Sequence, residues 1–270
     1  FIMAKPQKVL FITQEIMPYV PASSYAIEGR MLPAAVQDQK VEIRTFMPKW
    51  GNVNERRNQL HEVIRLSGMN IIIDDTDHPL ILKVASIQAA RMQIYFIDSD
   101  DYFMKRLGHA DEKGVEYEDN GERAVFYARG VLETVKKLRW VPDVIHCHGW
   151  ISSVVPFYVK RAYNEEPSFA NTKVVTSLFK DDLKKVGDNF RSCVPFRDAN
   201  AEALKDYPEI FTPADLQRLA IEYSDAAVIV ENGVSRDVQK YLKERDIPVI
   251  KKAGEDYTNP YFELYDKLLA

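Results

Sequence analysis

Short apolar runs alternate with longer helical patterns along most of the chain. The runs Lys8–Thr13, Val41–Met47 and Val144–Cys147 predict buried strands. The stretch Asn120–Leu138 predicts a helix, since its apolar residues recur every three or four positions. Such strand–helix alternation is typical of a doubly wound, mainly parallel Rossmann-like sheet, so we predict an α/β fold.

The same alternation of strands and helices is predicted for the rest of the chain, apart from one segment. Further helices are predicted at Tyr25–Gln37, Ser152–Tyr163, Ser235–Arg245 and near Pro260–Leu269, with others between Asp181 and Tyr223. Further strands are predicted at Lys173–Phe179, Ala226–Val230 and Ile247–Ile250. Helices that separate strands in this way serve as crossover connections in a parallel sheet.

The segment at about 60–97 breaks the alternation. Short runs with β-branched residues follow one another there without a helix between them: Leu60–Leu66, Asn70–Ile73, Leu80–Ser86 and Met92–Ile97. Polar turns such as DDTDHP separate the runs, which predicts a hairpin or meander. We expect a single domain over residues 3–270 with this β-rich excursion, no second domain within the chain, and Met3 as a plausible initiator.

Composition limits the class of protein. The chain has 270 residues, 46% of them hydrophobic, and a net charge of −4, which allows a full core and disfavours nucleic acid or an anionic membrane as a partner. The two cysteines, Cys147 and Cys193, lack metal-type spacing and are too few for a disulfide scaffold, which favours a reducing cytosol. KVLFIT is too short to span a membrane and lacks signal-peptide features. We therefore expect a soluble, cytoplasmic protein.

The segment IHCHGW places His146, His148 and Trp150 where a predicted strand ends, and ligands bind at such ends in open α/β sheets. Period-two geometry puts both histidines on one face of the strand and Cys147 on the other. The pair could ligate a metal, form hydrogen bonds inside the core, or contact a polar ligand. A closed zinc site needs more ligands than the spacing offers, so we expect no metal. Imidazole and indole groups together suit a sugar.

Asp119 and Asn120 directly precede the predicted helix at Asn120–Leu138. Either side chain could cap the first free backbone N–H groups of that helix. Arg123, one turn later, could pair with Glu122 or Asp119, or face a ligand. The residues alone leave these interpretations open.

Several familiar kinds of site are not supported by the sequence. The first strand is followed by QEIMPYVPASSYAIEG, which contains neither GxGxxG nor a P-loop, so we expect no dinucleotide cofactor. No serine stands in a G-x-S-x-G elbow, and no catalytic residue is identified. The acidic pairs Asp74-Asp75, Asp100-Asp101 and Asp181-Asp182 are assigned to turns, which favour aspartate.

Four segments of the chain carry a family resemblance. KVLFITQEIMPY is similar to an opening strand that ends in S-E-x-x-P before an aromatic residue, and YEDNGERAVFYARGVLE to Y-x-D-N-x-x-R-F. PDVIHCHGWISSVVPFYVK is similar to a segment with H-x-H-D-W-H, and LAIEYSDAAVIVENGVSRDVQKYL to a later strand and helix. In this order they resemble the N-terminal, acceptor-side half of bacterial glycogen/starch synthases, retaining glycosyltransferases of the GT-B type.

The resemblance implies a function in glycogen biosynthesis. Members of that family transfer glucose from ADP-glucose or UDP-glucose to α-1,4-glucan without a metal, in a cleft between two Rossmann-like domains. The implied substrate-binding residues are Glu15, Asp119, Asn120, Arg123, His146, His148 and Trp150. An α-glucan or a nucleotide sugar is accordingly the expected ligand.

The chain also departs from the family pattern. The family's K-T-G-G-L falls on 21–25, which reads Pro-Ala-Ser-Ser-Tyr, and the Asp of H-x-H-D-W-H is Gly149. The lost lysine and glycines would approach the sugar nucleotide. We therefore expect a synthase-like glycosyltransferase domain that is incomplete or inactive as an isolated chain and needs a partner chain with a second domain. The alternative is a non-catalytic binding or regulatory protein for α-glucan or sugar nucleotide, and a third interpretation is a structural or regulatory subunit without a ligand.

Overall fold

A nine-stranded sheet forms the centre of the computed structural model, which describes residues 6–270. The described residues form eleven strands, all of which except β4 and β5 belong to this sheet: β1 (Lys8–Ile12), β2 (Glu42–Pro48), β3 (His61–Glu62), β4 (Asn70–Ile73), β5 (Thr76–Pro79), β6 (Ile81–Ile87), β7 (Met92–Asp98), β8 (Val144–His148), β9 (Lys173–Leu178), β10 (Ala226–Ile229) and β11 (Val249–Lys251). Their order in the sheet is β11-β10-β9-β8-β1-β2-β7-β6-β3. The pairs from β11 to β7 are parallel, so the predicted α/β fold is confirmed. The expected initiator Met3 lies outside the described residues.

Helices cover both faces of this sheet. They are α1 (Ser24–Asp38), α2 (Asn120–Lys137), α3 (Val155–Lys160), α4 (Phe190–Cys193), α5 (Pro213–Glu222), α6 (Arg236–Glu244) and α7 (Asn259–Leu269). Val9 and Phe11 of β1 pack with α1 and α7, whereas the alternate residues Leu10 and Ile12 belong to the cluster that contains α2, α3 and α5. Within residues 6–270, no helix is long and apolar enough to cross a bilayer.

The segment at 60–97 contributes mainly to the central sheet. Strand β7 lies parallel beside β2, and β6 and β3 continue the sheet in antiparallel pairing, while β4 and β5 form a separate two-stranded hairpin. The predicted strand Leu60–Leu66 is wrong, because only His61–Glu62 pairs and Ile64–Leu66 forms a 3-10 turn in which Ile64 is 74% exposed. Part of the predicted turn DDTDHP forms β5 instead.

Parallel pairing brings the carboxyl ends of β1, β8, β9 and β10 to one edge of the sheet. The predicted helix Ser152–Tyr163 begins there as a 3-10 turn at Trp150–Ser152, and α3 starts only at Val155, with Pro156 in its first turn. This edge collects the loops that follow the strands, and it carries most of the predicted site residues.

Candidate functional site

The N-terminus of α1 lies at this edge and is closed by its own side chains. The Ser23 oxygen accepts a hydrogen bond from the backbone N–H of Ala26 at 3.0 Å, and the Ser23 hydroxyl donates to the carboxylate of Glu15. The Ser24 hydroxyl donates to Glu231 Oε1 at 3.2 Å, which also accepts the N–H of Lys180 at 2.8 Å. The first turn of α1 is thus capped and tied to two carboxylates.

Four carboxylates surround the Tyr25 side chain in the first turn of α1. We call this set the acidic rim; its members are Glu15, Asp181, Asp182 and Glu231. Burial raises the pKa of the Tyr25 hydroxyl, and the charge of each rim carboxylate raises it further. The acidic rim therefore favours neutral hydrogen-bond donors and disfavours anions.

Burial also acts on the acidic rim itself. It raises the pKa of Glu15, against the opposing effect of the hydrogen bond from Ser23. It raises the pKa of Asp181 to about 6, although the backbone N–H of Leu183 bonds this carboxylate at 2.9 Å. One rim carboxylate thus changes its charge close to neutral pH.

The space beneath the acidic rim is almost filled. The ring of Tyr25 packs on Phe179, with 4.4 Å between the ring centroids. A cavity of about 20 Å³ remains between these rings, Gly149 and Trp150. Such a volume holds a water molecule but is far smaller than a ligand pocket. A sugar that binds here must therefore contact the rim from outside.

The two histidines of β8 share one face of the strand, as predicted. Their rings meet edge to face at 4.9 Å between centroids, whereas Cys147 packs on the other side of the sheet. His146 is fully buried, and its Nδ1 and Nε2 lie 2.6 Å from the Tyr265 hydroxyl and 2.7 Å from Ser177 Oγ. His146 therefore has the hydrogen-bonded core environment that was one of its three interpretations.

His148 and Trp150 are buried as well. Neither ring nitrogen of His148 has a hydrogen-bond partner among residues 6–270, and burial lowers its pKa to about 3. Trp150 is 4% exposed, with its ring centroid 6.2 Å from that of Trp50. In the described part of the chain, no group of three or more His, Cys, Asp or Glu residues is placed to hold a metal ion.

Neither Asp119 nor Asn120 makes a side-chain capping bond to α2, so the capping interpretation is wrong. Asp119 occupies the N-cap position, but its carboxylate pairs with the guanidinium of Arg106 in two hydrogen bonds. Asn120 donates to the carbonyl of His109 at 2.9 Å. A nearby cation is a stronger partner for the carboxylate than a backbone N–H, which explains the difference.

Arg123 is fully buried and braces the loop before α2. It donates to the carbonyls of Tyr102, Leu107 and Gly108 at 2.9, 3.0 and 2.7 Å, and to Asn120 Oδ1 at 2.9 Å. Its pKa is lowered to about 9, first by burial and then by the charge of Arg106, so the side chain remains protonated at pH 7. The pairing of Arg123 with Asp119 or Glu122 that the sequence left open does not form.

The substrate role of the seven predicted residues stays a prediction. The structure brings Glu15 into the acidic rim and leaves Asp119 partly exposed, but it buries the side chains of the other five. Sequence reasoning missed the other three rim carboxylates. The available signal was position, since Asp181-Asp182 follows β9 and Glu231 follows β10 just as Glu15 follows β1.

We expect Asp181→Asn to raise the free energy of unfolding at pH 7.5 by about 1–2 kcal/mol, because the substitution removes a charge that burial destabilises. When folding raises the pKa of a carboxylate, the protein loses stability as the pH rises from the pKa of that group in the unfolded state to its pKa in the folded state. The advantage of the variant should therefore vanish at about pH 4. Urea unfolding of both proteins between these pH values measures the difference.

At each pH, the free energy of unfolding of Asp181→Asn is compared with that of the unmodified chain. The comparison is needed because burial lowers the pKa of His146 and His148 and makes both proteins less stable below about pH 6.5. The matched control is Asp188→Asn, an exposed carboxylate in the same loop, which should change stability by less than about 0.5 kcal/mol at either pH. An equal effect of both substitutions would contradict the assignment of a buried charge to Asp181.

Comparison with solved structures identifies the fold. The catalytic domain of starch synthase IV from Arabidopsis thaliana, solved with ADP and acarbose, matches with a TM-score of 0.74 and 13% identity, over 91% of this chain and 51% of that one. The sheet therefore has the GT-B-like α/β fold of that catalytic domain, of which the chain covers about half. Residues 8–247 match the family model of the starch synthase catalytic domain. The chain belongs to this family, which confirms the resemblance.

Curated relatives agree with this assignment. Glycogen synthase from Chlorobium limicola is 34% identical over 172 residues, which are 63% of this chain and 35% of that protein. Glycogen synthase from Chlorobaculum tepidum is 35% identical over 173 residues, again 63% of this chain and 35% of the relative. The chain thus spans about a third of the length of these relatives.

Proposed function

We propose that this domain binds α-glucan as the acceptor-side half of a glycogen/starch synthase-type glycosyltransferase and does not by itself transfer glucose from a nucleotide sugar. The observation that carries the proposal is the acidic rim around the N-terminus of α1. Membership of the synthase family supports the choice of an α-glucan as the ligand.

The charge of the acidic rim argues against a sugar diphosphate at this position. Transfer from a nucleotide sugar requires cations or free N–H dipoles at the diphosphate, where negative charge develops. Here the helix end is capped by Ser23, and Glu15 and Glu231 lie beside it. Each carboxylate about 4 Å from a phosphate oxygen costs on the order of 1–4 kcal/mol.

The same groups suit a neutral sugar. Carboxylates accept hydrogen bonds from sugar hydroxyls, and an ionised acceptor makes these bonds stronger than neutral pairs. Asp182 is exposed at the surface, and Glu15 is partly exposed. A glucan chain that lies across the acidic rim can therefore bond to both without entering the small cavity beneath.

A second candidate function keeps glucosyl transfer and takes the opposing half from a partner chain or a longer polypeptide. It is favoured by the extent of the structural match, since this chain covers 51% of the starch synthase IV catalytic domain. In that arrangement the other half supplies the cations for the diphosphate, and this half holds the acceptor glucan.

Calorimetry tests the proposal with maltoheptaose and ADP-glucose as separate ligands. We expect maltoheptaose to bind and ADP-glucose to show no binding. The double variant Glu15→Gln with Asp182→Asn should weaken maltoheptaose binding about tenfold, since two charge-assisted hydrogen bonds become neutral. The matched control, Glu112→Gln with Asp188→Asn, changes exposed carboxylates outside the acidic rim and should bind as the unmodified chain does.

Transfer is measured with the same protein. Labelled glucose from ADP-glucose should not enter glycogen when this chain is the only protein present. Incorporation above the level of a heat-treated sample would contradict the proposal. Tight ADP-glucose binding that the double variant leaves unchanged would show that the acidic rim does not repel the nucleotide.

A further inference from the structure

A second pocket lies at the same edge of the sheet, between the loop after β1 and the loop after β2. Its volume is about 300 Å³, and its lining residues are Pro18, Tyr19, Asn52, Asn54, Arg57 and Asn58. This volume is at the lower end of the range for small-molecule sites. We infer that this amide pocket binds a glucose unit of an α-glucan chain, separately from the acidic rim. The inference rests on the proposed function and adds a second contact for the same polymer.

The wall of the amide pocket formed by the loop after β2 is held in place by internal bonds. Trp50 Nε1 donates to the carbonyl of Gln14 at 2.7 Å, which joins this loop to the loop after β1. The Glu55 carboxylate pairs with Lys49 at 3.1 Å and with Lys83 at 2.7 Å. The backbone of this loop is therefore already ordered before a ligand binds, which reduces the entropic cost of binding.

The turn at 54–58 is fixed in the same way. Asn54 Oδ1 accepts the backbone N–H of Arg57 at 2.8 Å, and the Asn54 carbonyl accepts the side-chain N–H of Asn58 at 2.8 Å. These bonds use one polar atom of each amide. They leave Asn54 Nδ2 as a donor and Asn58 Oδ1 as an acceptor.

The remaining polar groups have no protein partners. Asn52 and Arg57 are exposed, and neither side chain has a hydrogen bond or ion pair with any residue in 6–270. The pocket thus combines unpaired donors with unpaired acceptors. Pro18 is exposed and supplies an apolar wall, whereas Tyr19 behind it is only 5% exposed.

This combination fits a sugar better than an anion. Each sugar hydroxyl both donates and accepts, and the amides of Asn52, Asn54 and Asn58 offer both functions, while the apolar wall suits the C–H face of a pyranose. A phosphate accepts only and would use a single cation, Arg57. No carboxylate lines this pocket, so its chemistry differs from that of the acidic rim.

The test uses the full chain with two exposed substitutions, Asn52→Ala and Arg57→Ala. Each should weaken maltoheptaose binding roughly threefold to tenfold, the effect of losing one or two hydrogen bonds. Calorimetry and migration in glycogen-containing native gels both measure this change. Matched controls are Arg56→Ala, the neighbouring exposed arginine outside the lining, and Asn171→Ala, an exposed amide elsewhere. Both controls should bind as the unmodified chain does.

The outcomes separate this inference from the proposed function. If both pocket variants bind maltoheptaose as the unmodified chain does, the amide pocket is not a glucan site. The variants of the acidic rim then still test the proposed function. Absence of maltoheptaose binding in the unmodified chain overturns both. If Arg57→Ala loses binding of inorganic phosphate or ADP while maltoheptaose binding is unaffected, the pocket binds an anion. That result contradicts the inference that it binds a glucose unit. Circular dichroism and thermal midpoints equal to those of the unmodified chain show that each variant is folded.

Discussion

Replacing Arg123 by methionine is expected to lower the free energy of unfolding by about 3–5 kcal/mol, because the carbonyls that the guanidinium bonds would remain buried without a donor. Methionine fills much of the same volume, so the loss reports on hydrogen bonds and charge more than on a cavity. Urea unfolding followed by fluorescence measures the change. Hydrogen exchange should also accelerate at residues 103–108, the loop that Arg123 braces.

Two further substitutions make this prediction specific. Arg123→Lys keeps the charge but cannot reach carbonyls spread over the loop with one ammonium group, so it should still lose about 2 kcal/mol or more. Arg236 also lies in the first turn of a helix but is exposed, and Arg236→Met should change stability by less than about 0.5 kcal/mol. If Arg123→Met behaves like Arg236→Met, the loop does not depend on the guanidinium.

The second large effect is expected at Gly149, where alanine should destabilise the domain by about 2–4 kcal/mol through backbone strain and overlap. The residue has φ 84° and ψ 172°, a conformation that L side chains rarely adopt. An added Cβ would lie 2.3 Å from Gln14 Oε1 and 2.8 Å from Gln14 Cβ. Thermal and urea unfolding measure the loss.

A substitution at Gly68 separates the cost of backbone strain from the cost of steric overlap. It has a φ of 83° but nothing within 4 Å of an added Cβ, so Gly68→Ala should show the backbone cost of about 1 kcal/mol without the overlap. A similar loss at both positions would mean that contact with Gln14 is unimportant.

The close contact between Gly149 and Gln14 also bears on the departure from the family pattern. The resemblance places an aspartate at this position, and aspartate has the same Cβ as alanine. Gly149→Asp would therefore meet Gln14 before its carboxylate could reach a ligand. The substitution that restores the family residue requires a smaller residue at position 14 as well.

The central strands could be predicted closely because they are short, nearly continuous apolar runs. Lys8–Thr13 differs from β1 by one residue, and Val144–Cys147 differs from β8 by one. Such runs are buried on both faces of a parallel sheet. Leu60–Leu66 is interrupted by His61, Glu62 and Arg65 and lies at the sheet edge, where pairing stops after two residues and Ile64 faces solvent. Its β-branched residues alone therefore do not predict the length of that strand.

The location of the candidate site could also be predicted, but its internal bonds could not. The end of β8 does lie at the edge where the loops meet, as the strand pattern indicated. The acceptors of Arg123 are backbone carbonyls 15 to 21 residues earlier in the chain, and carbonyls leave no trace in side-chain patterns. Asp181 and Glu231 come together only through the order of β9 and β10 in the sheet, which composition does not specify.

Under the proposed function, the acidic rim makes ligand selection depend on the pH. Burial raises the pKa of Asp181 to about 6 and also raises the pKa of Glu15, so this edge carries less negative charge at pH 5 than at pH 7.5. A neutral polymer is affected only through the weaker acceptor that a protonated carboxyl group provides. An anionic nucleotide is affected through the repulsion itself, so its exclusion weakens on acidification. In the proposed function, the same four side chains would exclude anionic ligands to a degree that follows the pH of the surrounding compartment.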